Sequence, residues 1–183
     1  MPKLGRAIDG KIWLWTDLMR YLLLESDAEF FSYEHPNGES VESKLKDDLH
    51  KLEIAGEVNS ILKKLPEKEK QFRIEEIAES LEVEIPRVPT KEYAPISWQH
   101  AKEMDSSVVK VESHTVTHPI LPNVDADQLD FELSRSKETL EENLERSVEH
   151  FCYPNGTLNR DVEKAAQKAG YKSAVTTEYG FND

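Results

Sequence analysis

The sequence predicts an α/β fold, with parallel strands in its second half and a helical region before them. Apolar residues recur at helical spacing through most of the first hundred residues. From residue 108 to 177, short apolar runs alternate with helix patterns instead. The stretch 85–90, Ile-Pro-Arg-Val-Pro-Thr, separates the two halves as a proline-punctuated linker. We therefore expect a helical N-terminal region at 1–95 and a β/α domain at 96–183.

Four helices are predicted in the N-terminal region from the spacing of apolar residues. The last of them opens at a proline, which is favoured in the first turn of a helix. A short extended piece is expected at 30–33, followed by a turn in which His35 precedes a proline and is exposed. The predicted helices lie at 12–24, near 41–52, near 58–65 and after Pro66.

The C-terminal half reads as strand, helix, strand, helix, strand, which predicts parallel strands joined by right-handed crossovers. Asp125 is suited to cap the first of these helices, and Gly170 to end the second. A short serine-capped helix at 97–104 precedes them. The predicted elements are strands at 108–112, 150–153 and 173–177, and helices at 126–146 and 160–169.

Three parallel strands alone would leave two open sheet edges. Three explanations are compatible with this pattern. The chain is a segment of a longer protein, or its helical half covers the sheet, or another chain completes it. We favour the first explanation. A homo-oligomer formed through the open edges is the related expectation for partners.

Composition excludes several classes of partner. The chain has 23 Lys and Arg against 36 Asp and Glu, so its net charge of −13 offers no basic surface for nucleic acid. Its longest apolar cluster, 12–24, contains charged residues, so we predict no membrane span, and 1–6 has no signal-peptide core. The single cysteine, Cys152, excludes an internal disulfide and is interpreted as a small buried hydrophobe.

The pentapeptide His-Thr-Val-Thr-His at 114–118 follows the first predicted strand of the second half. Two imidazoles four residues apart can converge on one divalent cation, for which neutral imidazole is a common ligand. The alternative is that both rings are packed or solvated, as isolated histidine pairs usually are. The remaining histidines are interpreted as non-ligands: His35, His50, His100 and His150.

A second segment, Phe-Cys-Tyr-Pro-Asn-Gly at 151–156, lies about one βα unit downstream. Together with Glu-Ser-His-Thr-Val-Thr-His-Pro at 112–119, it resembles two signature segments of the polysaccharide deacetylases, the NodB-homology enzymes of carbohydrate esterase family four. The resemblance covers about the last 85 residues, including 169–177. It implies a portion of a distorted (β/α)7 barrel with parallel strands, preceded by a helical region that is inserted into the barrel or covers it.

By this resemblance, His114 and His118 are metal ligands, and the cofactor is a divalent metal, with zinc expected first. Thr115 matches a small hydroxyl residue that supports the loop, although an ordinary solvated hydroxyl explains it equally well. Asp125 and Asp127 lie close enough in sequence to supply a third ligand. A helix cap is the simpler explanation of Asp125.

The second segment implies the parts that handle substrate. The main-chain N–H of Asn155 matches the family's oxyanion donor, and Tyr153, Pro154 and Gly156 are expected to contact substrate. The alternative is a tight strand-to-helix corner, since Asn-Gly is a common turn dipeptide. The family's arginine, which orients its catalytic base, aligns with Cys152 and is therefore absent at that position.

Two further family segments have no match in the sequence. The family's Asp-Asp pair supplies a general base and a metal ligand, but the one Asp-Asp here, at 47–48, falls in a helix pattern and is interpreted as a solvated face. The family's C-terminal histidine acid is not found after Thr177. The general base, the general acid and the third ligand are thus unassigned.

These features imply a metal-dependent hydrolase that acts on non-peptide carbon–nitrogen bonds. It would remove N- or O-acetyl groups from a carbohydrate, either an acetylated amino-sugar polymer or a glycan precursor. The alternative is a non-catalytic, truncated deacetylase-like module for glycan binding or protein interaction. Bacterial cell-envelope chemistry is suggested by the family, while the chain itself predicts no compartment.

Overall fold

The computed structural model describes residues 12–180 of the chain, which form a mixed α/β protein with two compact units. The N-terminal unit comprises Trp13–Tyr93, and the C-terminal unit continues from Ala94. Each unit has a buried apolar cluster of its own, drawn from 15–81 in the first and from 121–171 in the second. No helix within 12–180 is long and apolar enough to cross a membrane. Residues 1–6, for which no signal core was predicted, lie outside the described residues.

The N-terminal unit packs three helices and one hairpin around its core. Helix α1 buries the apolar face predicted for it, including Leu22 and Leu23. Lys51 Nζ donates to the carbonyl oxygens of Leu24 (3.3 Å) and Ser26 (2.8 Å), which lie where α1 ends without intrahelical partners. The elements are α1 (Trp15–Glu25), β1 (Phe30–Glu34), β2 (Ser40–Lys44), α2 (Asp48–Leu62) and α3 (Glu67–Ser80).

The predicted helix near 41–52 is wrong, because its first half is strand β2. β2 pairs antiparallel with β1, in the register Phe30↔Lys44 to Glu34↔Ser40. Val41 is buried as a residue of this strand, so the helical spacing of the apolar residue at position 41 is a coincidence. Helix α2 then runs through the predicted third helix as one element. Asp47 is its exposed N-cap, accepting the His50 N–H at 2.9 Å, and Asp48 is exposed in its first turn.

The prediction that His35 is exposed is also wrong. His35 is buried in the turn that joins β1 to β2. Its Nδ1 accepts the main-chain N–H of Asn37 at 3.2 Å, and its carbonyl accepts the N–H of Gly38 at 2.8 Å. The ring therefore belongs to the turn itself, where an imidazole acceptor replaces water for a main-chain donor.

The C-terminal unit contains α4 (Trp98–Met104), α5 (Ala126–Leu144), β3 (His150–Cys152), α6 (Arg160–Lys168) and β4 (Ser173–Val175). These five elements confirm five of the six predicted from residue 97 onward, with Ser97, Asp125 and Asn159 as helix caps. β3 and β4 pair in parallel, in the register His150↔Ser173 to Cys152↔Val175. Gly170 follows α6 with φ +87°, which is the left-handed C-terminal position that glycine favours.

The predicted strand at 108–112 is not formed. Only Ser113 bridges in parallel to Phe151 of β3, so the described sheet has two strands and one bridge instead of three strands. Val108 is 89% exposed and has no core to cover. Of this apolar run, Val111 packs against the second apolar cluster, while Val108 and Val109 stay exposed, so the segment lacks the continuous buried face of a strand.

Side chains take over much of the pairing that main chain would have made in this strand. Arg146 donates to both carboxylate oxygens of Asp105 at 2.7 Å and to Glu112 Oε1 at 2.9 Å. Glu112 Oε2 accepts the N–H groups of Glu149 and His150, each at 3.0 Å. A carboxylate thus occupies the position of a neighbouring strand's carbonyl groups at the start of β3.

Candidate metal-binding loop and the adjoining corner

The loop 114–118 brings the two predicted imidazoles together. The ring centroids of His114 and His118 are 4.8 Å apart, with an angle of 69° between the ring planes. Two imidazoles bound to one tetrahedral zinc ion, with Zn–N bonds of about 2.1 Å, have centroids about 5 Å apart. The pair therefore fits two positions in the coordination sphere of a divalent cation.

The tautomer of His114 is set by the strand beside it. His114 Nδ1 lies 2.7 Å from the carbonyl oxygen of Cys152. A carbonyl only accepts hydrogen bonds, so Nδ1 carries the proton and Nε2 carries the lone pair. This arrangement, in which a backbone carbonyl orients an imidazole, is usual for histidine ligands of metals.

The backbone between the two histidines is left-handed at two non-glycine residues. Thr115 has φ +70° and His118 has φ +58°. Thr115 Oγ1 accepts the main-chain N–H of His118 at 3.0 Å, closing the loop on itself. Left-handed conformations cost roughly 1–3 kcal/mol at residues that carry a Cβ, more so for a β-branched threonine. Surrounding contacts must therefore hold the loop.

Glu132 of α5 makes the main contact of this kind, and the sequence analysis did not identify it. Its carboxylate is 1% exposed and points at the middle of the loop. Glu132 Oε2 accepts the main-chain N–H groups of Val116 at 2.7 Å and Thr117 at 2.9 Å. Its Oε1 accepts the hydroxyl of Thr117. Position 132 lies on the apolar stripe of α5, and a charged residue on a buried stripe is the signal that could have identified it.

A cluster of buried hydroxyls lies before His114. Tyr171 Oη lies 2.7 Å from Ser113 Oγ and 2.9 Å from the carbonyl of Leu133, and Ser113 Oγ donates to Ser136 Oγ at 2.9 Å. Burial raises the pKa of Tyr171, so its hydroxyl remains protonated. The cluster ties the residue before His114 to helix α5, because Leu133 and Ser136 belong to that helix.

The corner at 153–156 follows β3 directly. The N–H of Gly156 donates to the carbonyl of Tyr153 at 2.8 Å, and Asn155 is left-handed with φ +55°. Gly156 also has φ +67°, and a Cβ on it would lie 2.3 Å from Thr177 Oγ1 and 2.5 Å from the Thr177 nitrogen. Both the turn and the close approach of residue 177 therefore require the Asn-Gly sequence.

One polar atom of this corner lacks a partner. The side-chain nitrogen Nδ2 of Asn155 is buried and donates no hydrogen bond to any group within residues 12–180. Tyr153 and Pro154 are buried beside it, and burial raises the pKa of the Tyr153 hydroxyl. An unsatisfied buried amide donor costs free energy, which a bound acceptor can recover.

Other predicted candidates are placed elsewhere. Cys152 is half-buried, and burial raises the pKa of its thiol, which argues against a reactive thiolate. His150 lies at the start of β3 with Nδ1 2.8 Å from Ser173 Oγ. Asp125 caps α5 by accepting the Gln128 N–H at 2.9 Å. Across the part of the chain that the structure describes, no group of three or more His, Cys, Asp or Glu could hold a metal ion.

Comparison with known proteins identifies the class. A family model described as Polysaccharide deacetylase matches residues 47–174, which is more than half of the chain. The chain therefore belongs to the polysaccharide deacetylase family, and the resemblance stated from its two segments is confirmed.

Individual relatives match parts of the chain. The putative polysaccharide deacetylase YxkH of Bacillus subtilis is 34% identical over 82 residues, 45% of this chain and 29% of that protein. The Streptococcus pyogenes deacetylase PplD, solved in complex with acetate, is 30% identical, with a TM-score of 0.46 over 49% of this chain and 40% of PplD. The Bacillus cereus polysaccharide deacetylase BC0361 is 26% identical, with a TM-score of 0.44 over 63% of this chain and 38% of its own. The chain thus spans well under half the length of these relatives.

Proposed function

We propose that this chain carries part of the active site of a metal-dependent deacetylase, one that removes N- or O-acetyl groups from an acetylated amino-sugar polymer or glycan precursor. The observation that carries the proposal is the His114–His118 pair, with ring centroids 4.8 Å apart and the Nε2 lone pair of His114 left for a cation. Membership of the polysaccharide deacetylase family, which is generally dependent on divalent metals, supports the choice of a hydrolase acting on carbohydrate.

A divalent cation at this pair, zinc first, supplies Lewis-acid polarisation of the acetyl carbonyl and activation of water. His114 and His118 would hold the cation, and Thr115 keeps their loop closed through the His118 N–H. Asn155 would orient the carbonyl oxygen as charge develops on it, through its main-chain N–H and its unpartnered Nδ2. Tyr153, Pro154 and Gly156 would form the substrate side of the corner.

The proposal extends to the architecture around the site. We place the β3–α6–β4 segment within a distorted (β/α)7 barrel, with 96–183 as the deacetylase-like portion and 1–95 as a region inserted into it or covering it. Parallel strands are usually buried on both faces, yet all three residues of β4 are exposed. That exposure supports further strands beside β4.

A second candidate function follows from the small number of grouped ligand residues. Because residues 12–180 contain no group of three ligands, a chain that binds glycan or protein without hydrolysis is the alternative. Such a module would keep the Asn155 corner as a contact surface. It would retain neither a cation nor deacetylase activity.

Metal retention separates the two candidates. The purified chain is loaded with zinc, desalted and measured by mass spectrometry, beside a His114→Ala, His118→Ala double variant and a His150→Ala control. We expect near one equivalent of zinc in the wild type and the control, and less than a tenth in the double variant. A folded wild type that retains no zinc would contradict the enzyme proposal for this chain and favour the binding module.

A further inference from the structure

We propose that Glu132 is the positioning residue of the metal-binding loop, holding His114 and His118 in the geometry that receives the cation. This inference rests on the proposed function and extends it to a residue on α5 that binds the loop between the two histidines. Three independent features of the described residues carry it: the contacts of the carboxylate, the strained backbone that it holds, and the attachment of both sides of His114 to one helix.

The contacts place Glu132 between the two ligands in sequence and at the centre of their loop. All three polar groups that it binds belong to Val116 and Thr117. These two residues separate the left-handed Thr115 from the left-handed His118. The carboxylate therefore fixes the main chain at Val116 and Thr117, which joins the two imidazole-bearing residues.

Burial makes these bonds consequential. Glu132 is 1% exposed, and a buried carboxylate without partners is strongly unfavourable. Here two main-chain donors and one hydroxyl satisfy it, and hydrogen bonds to an ionised acceptor are stronger than neutral ones. The loop cannot leave its left-handed conformation without exposing the carboxylate or orphaning it. The strain at Thr115 and His118 is thereby offset by bonds that exist in this conformation only.

Helix α5 holds both sides of His114. Glu132 binds the loop after it, while Leu133 and Ser136 bind Ser113 and Tyr171 in the hydroxyl cluster before it. Three positions on one rigid helix thus frame the first ligand. A helix is a more precise support than a loop, which is the arrangement that a coordinating site needs.

The chemistry of the contacts selects a matched set of variants. In Glu132→Gln the amide oxygen can accept both main-chain N–H groups and the amide nitrogen can donate to Thr117 Oγ1, so the bonds survive without the charge. Glu132→Leu removes all of them at similar size. Thr117→Val removes only the hydroxyl bond and tests the loop should Glu132→Leu not fold. Leu140→Ala, a buried change later on the same helix, is the control for general destabilisation.

Two readouts are measured on the intact chain. The first is zinc affinity, by competition with a chromophoric chelator. The second needs no metal and uses spectra of ¹⁵N-histidine-labelled protein at pH 8, where imidazole is neutral. Long-range proton–nitrogen correlations report the His114 tautomer, and nuclear Overhauser effects between ring protons report the contact between the two rings. A loss of fold stability alone would alter neither readout in the folded molecules.

We expect Glu132→Leu to weaken zinc binding by roughly tenfold to a hundredfold, the range for outer-shell partners of metal ligands. We also expect it to abolish the ring-to-ring contact and to average the His114 tautomer. Thr117→Val should weaken binding severalfold. Glu132→Gln and Leu140→Ala should stay within about twofold of the wild type.

Each outcome decides one of the two proposals. Unchanged affinity, tautomer and ring contact in folded Glu132→Leu, or in Thr117→Val if Glu132→Leu does not fold, would overturn the role of Glu132. An equal loss in Leu140→Ala would overturn it as well, since destabilisation would then account for the effect. If the wild type binds no zinc but Glu132→Leu alone loses the tautomer and ring contact, the proposed function fails and the positioning role stands.

Discussion

Gly156 is the residue at which an added methyl group would be felt most directly. Its φ is +67°, and a Cβ there would lie 2.5 Å from the main-chain nitrogen of Thr177, so the backbone after β4 would have to move. Gly156→Ala is therefore expected to lower the free energy of unfolding by about 3 kcal/mol or more, combining left-handed strain with overpacking. The shift in urea midpoint measures this loss.

Gly170 provides the matched control for that substitution. It has φ +87°, but the nearest atom to its added Cβ would be Lys137 Cε at 3.8 Å, an ordinary contact. Gly170→Ala should thus cost only the left-handed strain, about 1 kcal/mol. Equal losses in the two variants would show that the close approach of residue 177 to the corner does not constrain it.

The candidate site could be predicted from the sequence only at residues whose type is itself typical of metal binding. His114 and His118 stand out as a pair of potential ligands, and their closeness in space follows from the loop between them. Glu132 is one of four glutamates in its helix, so its residue type alone does not distinguish it; only its position on the apolar stripe does. Its role depends on a loop 15 or 16 residues away in sequence, which no local pattern specifies.

Among the elements, the segment before Ser113 depends on ion pairing more than on apolar packing. The guanidinium of Arg146, followed by the main-chain N–H of Val111, holds the pKa of Asp105 well below its usual range. Lys110 also lies 4.0 Å from Asp105, and Glu112 shares the same arginine. A carboxyl whose folded pKa is depressed contributes stability above its unfolded pKa, near 3.9, and loses it as the pH falls toward the folded value.

This linkage predicts the pH profile of Asp105→Asn. At pH 7 and pH 5 the variant should unfold at a lower urea concentration than the wild type by a constant margin, because Asp105 is ionised in both states of the wild type. Below about pH 4 the margin should narrow, since only the wild type then loses the contribution of the ionised carboxylate. A margin that is the same at pH 7 and pH 3 would contradict the assignment.

Elements were predictable where their pattern reflects their own burial. Helix α5 was predicted from its cap and apolar stripe, and it begins at Ala126 as expected. The first strand of the hairpin was predicted as the extended piece at 30–33. Its second strand was missed because β2 is defined by pairing with β1, and its apolar residues happen to continue at helical spacing into α2. Leu49, an apolar residue of the helix predicted near 41–52, is 70% exposed. The prediction of a strand at 108–112 was wrong because it relied on an apolar run alone, and such a run does not by itself form a ladder with a neighbouring strand.

At the scale of the whole molecule, the two apolar clusters share no residue. We propose on this basis that the N-terminal unit, Trp13–Tyr93, and the C-terminal unit, which continues from Ala94, unfold as separate cooperative units. Leu22→Ala in the first cluster and Leu133→Ala in the second each remove a fully buried side chain and should cost about 2–5 kcal/mol.

Calorimetry of the intact chain measures this separation. Two transitions are expected, and each substitution should lower the midpoint of one transition while leaving the other within about 1–2 °C. The tryptophans offer a second probe, because Trp13 and Trp15 belong to the first unit and Trp98 to the second. A single transition that both substitutions lower together would contradict the separation.

The overall class was predictable, while the arrangement of strands was not. The alternation from residue 97 onward, together with the two motif segments, was sufficient to indicate a mixed α/β deacetylase family member. The sheet contains fewer paired residues than the apolar runs suggested, because pairing partners are set by tertiary contacts and not by composition.

The left-handed backbone at Thr115 has a consequence for how the loop responds to selection. Glycine adopts this conformation without steric cost, so a library screened for heat tolerance alone would enrich glycine at position 115. That exchange would remove the hydroxyl that accepts the His118 N–H, and the loop between the two imidazoles would lose the hydrogen bond that closes it. A screen for cation capture would enrich threonine instead. The residue at position 115 in the survivors of each screen, compared with the threonine that the chain carries, would therefore show whether stability or cation capture favours threonine there.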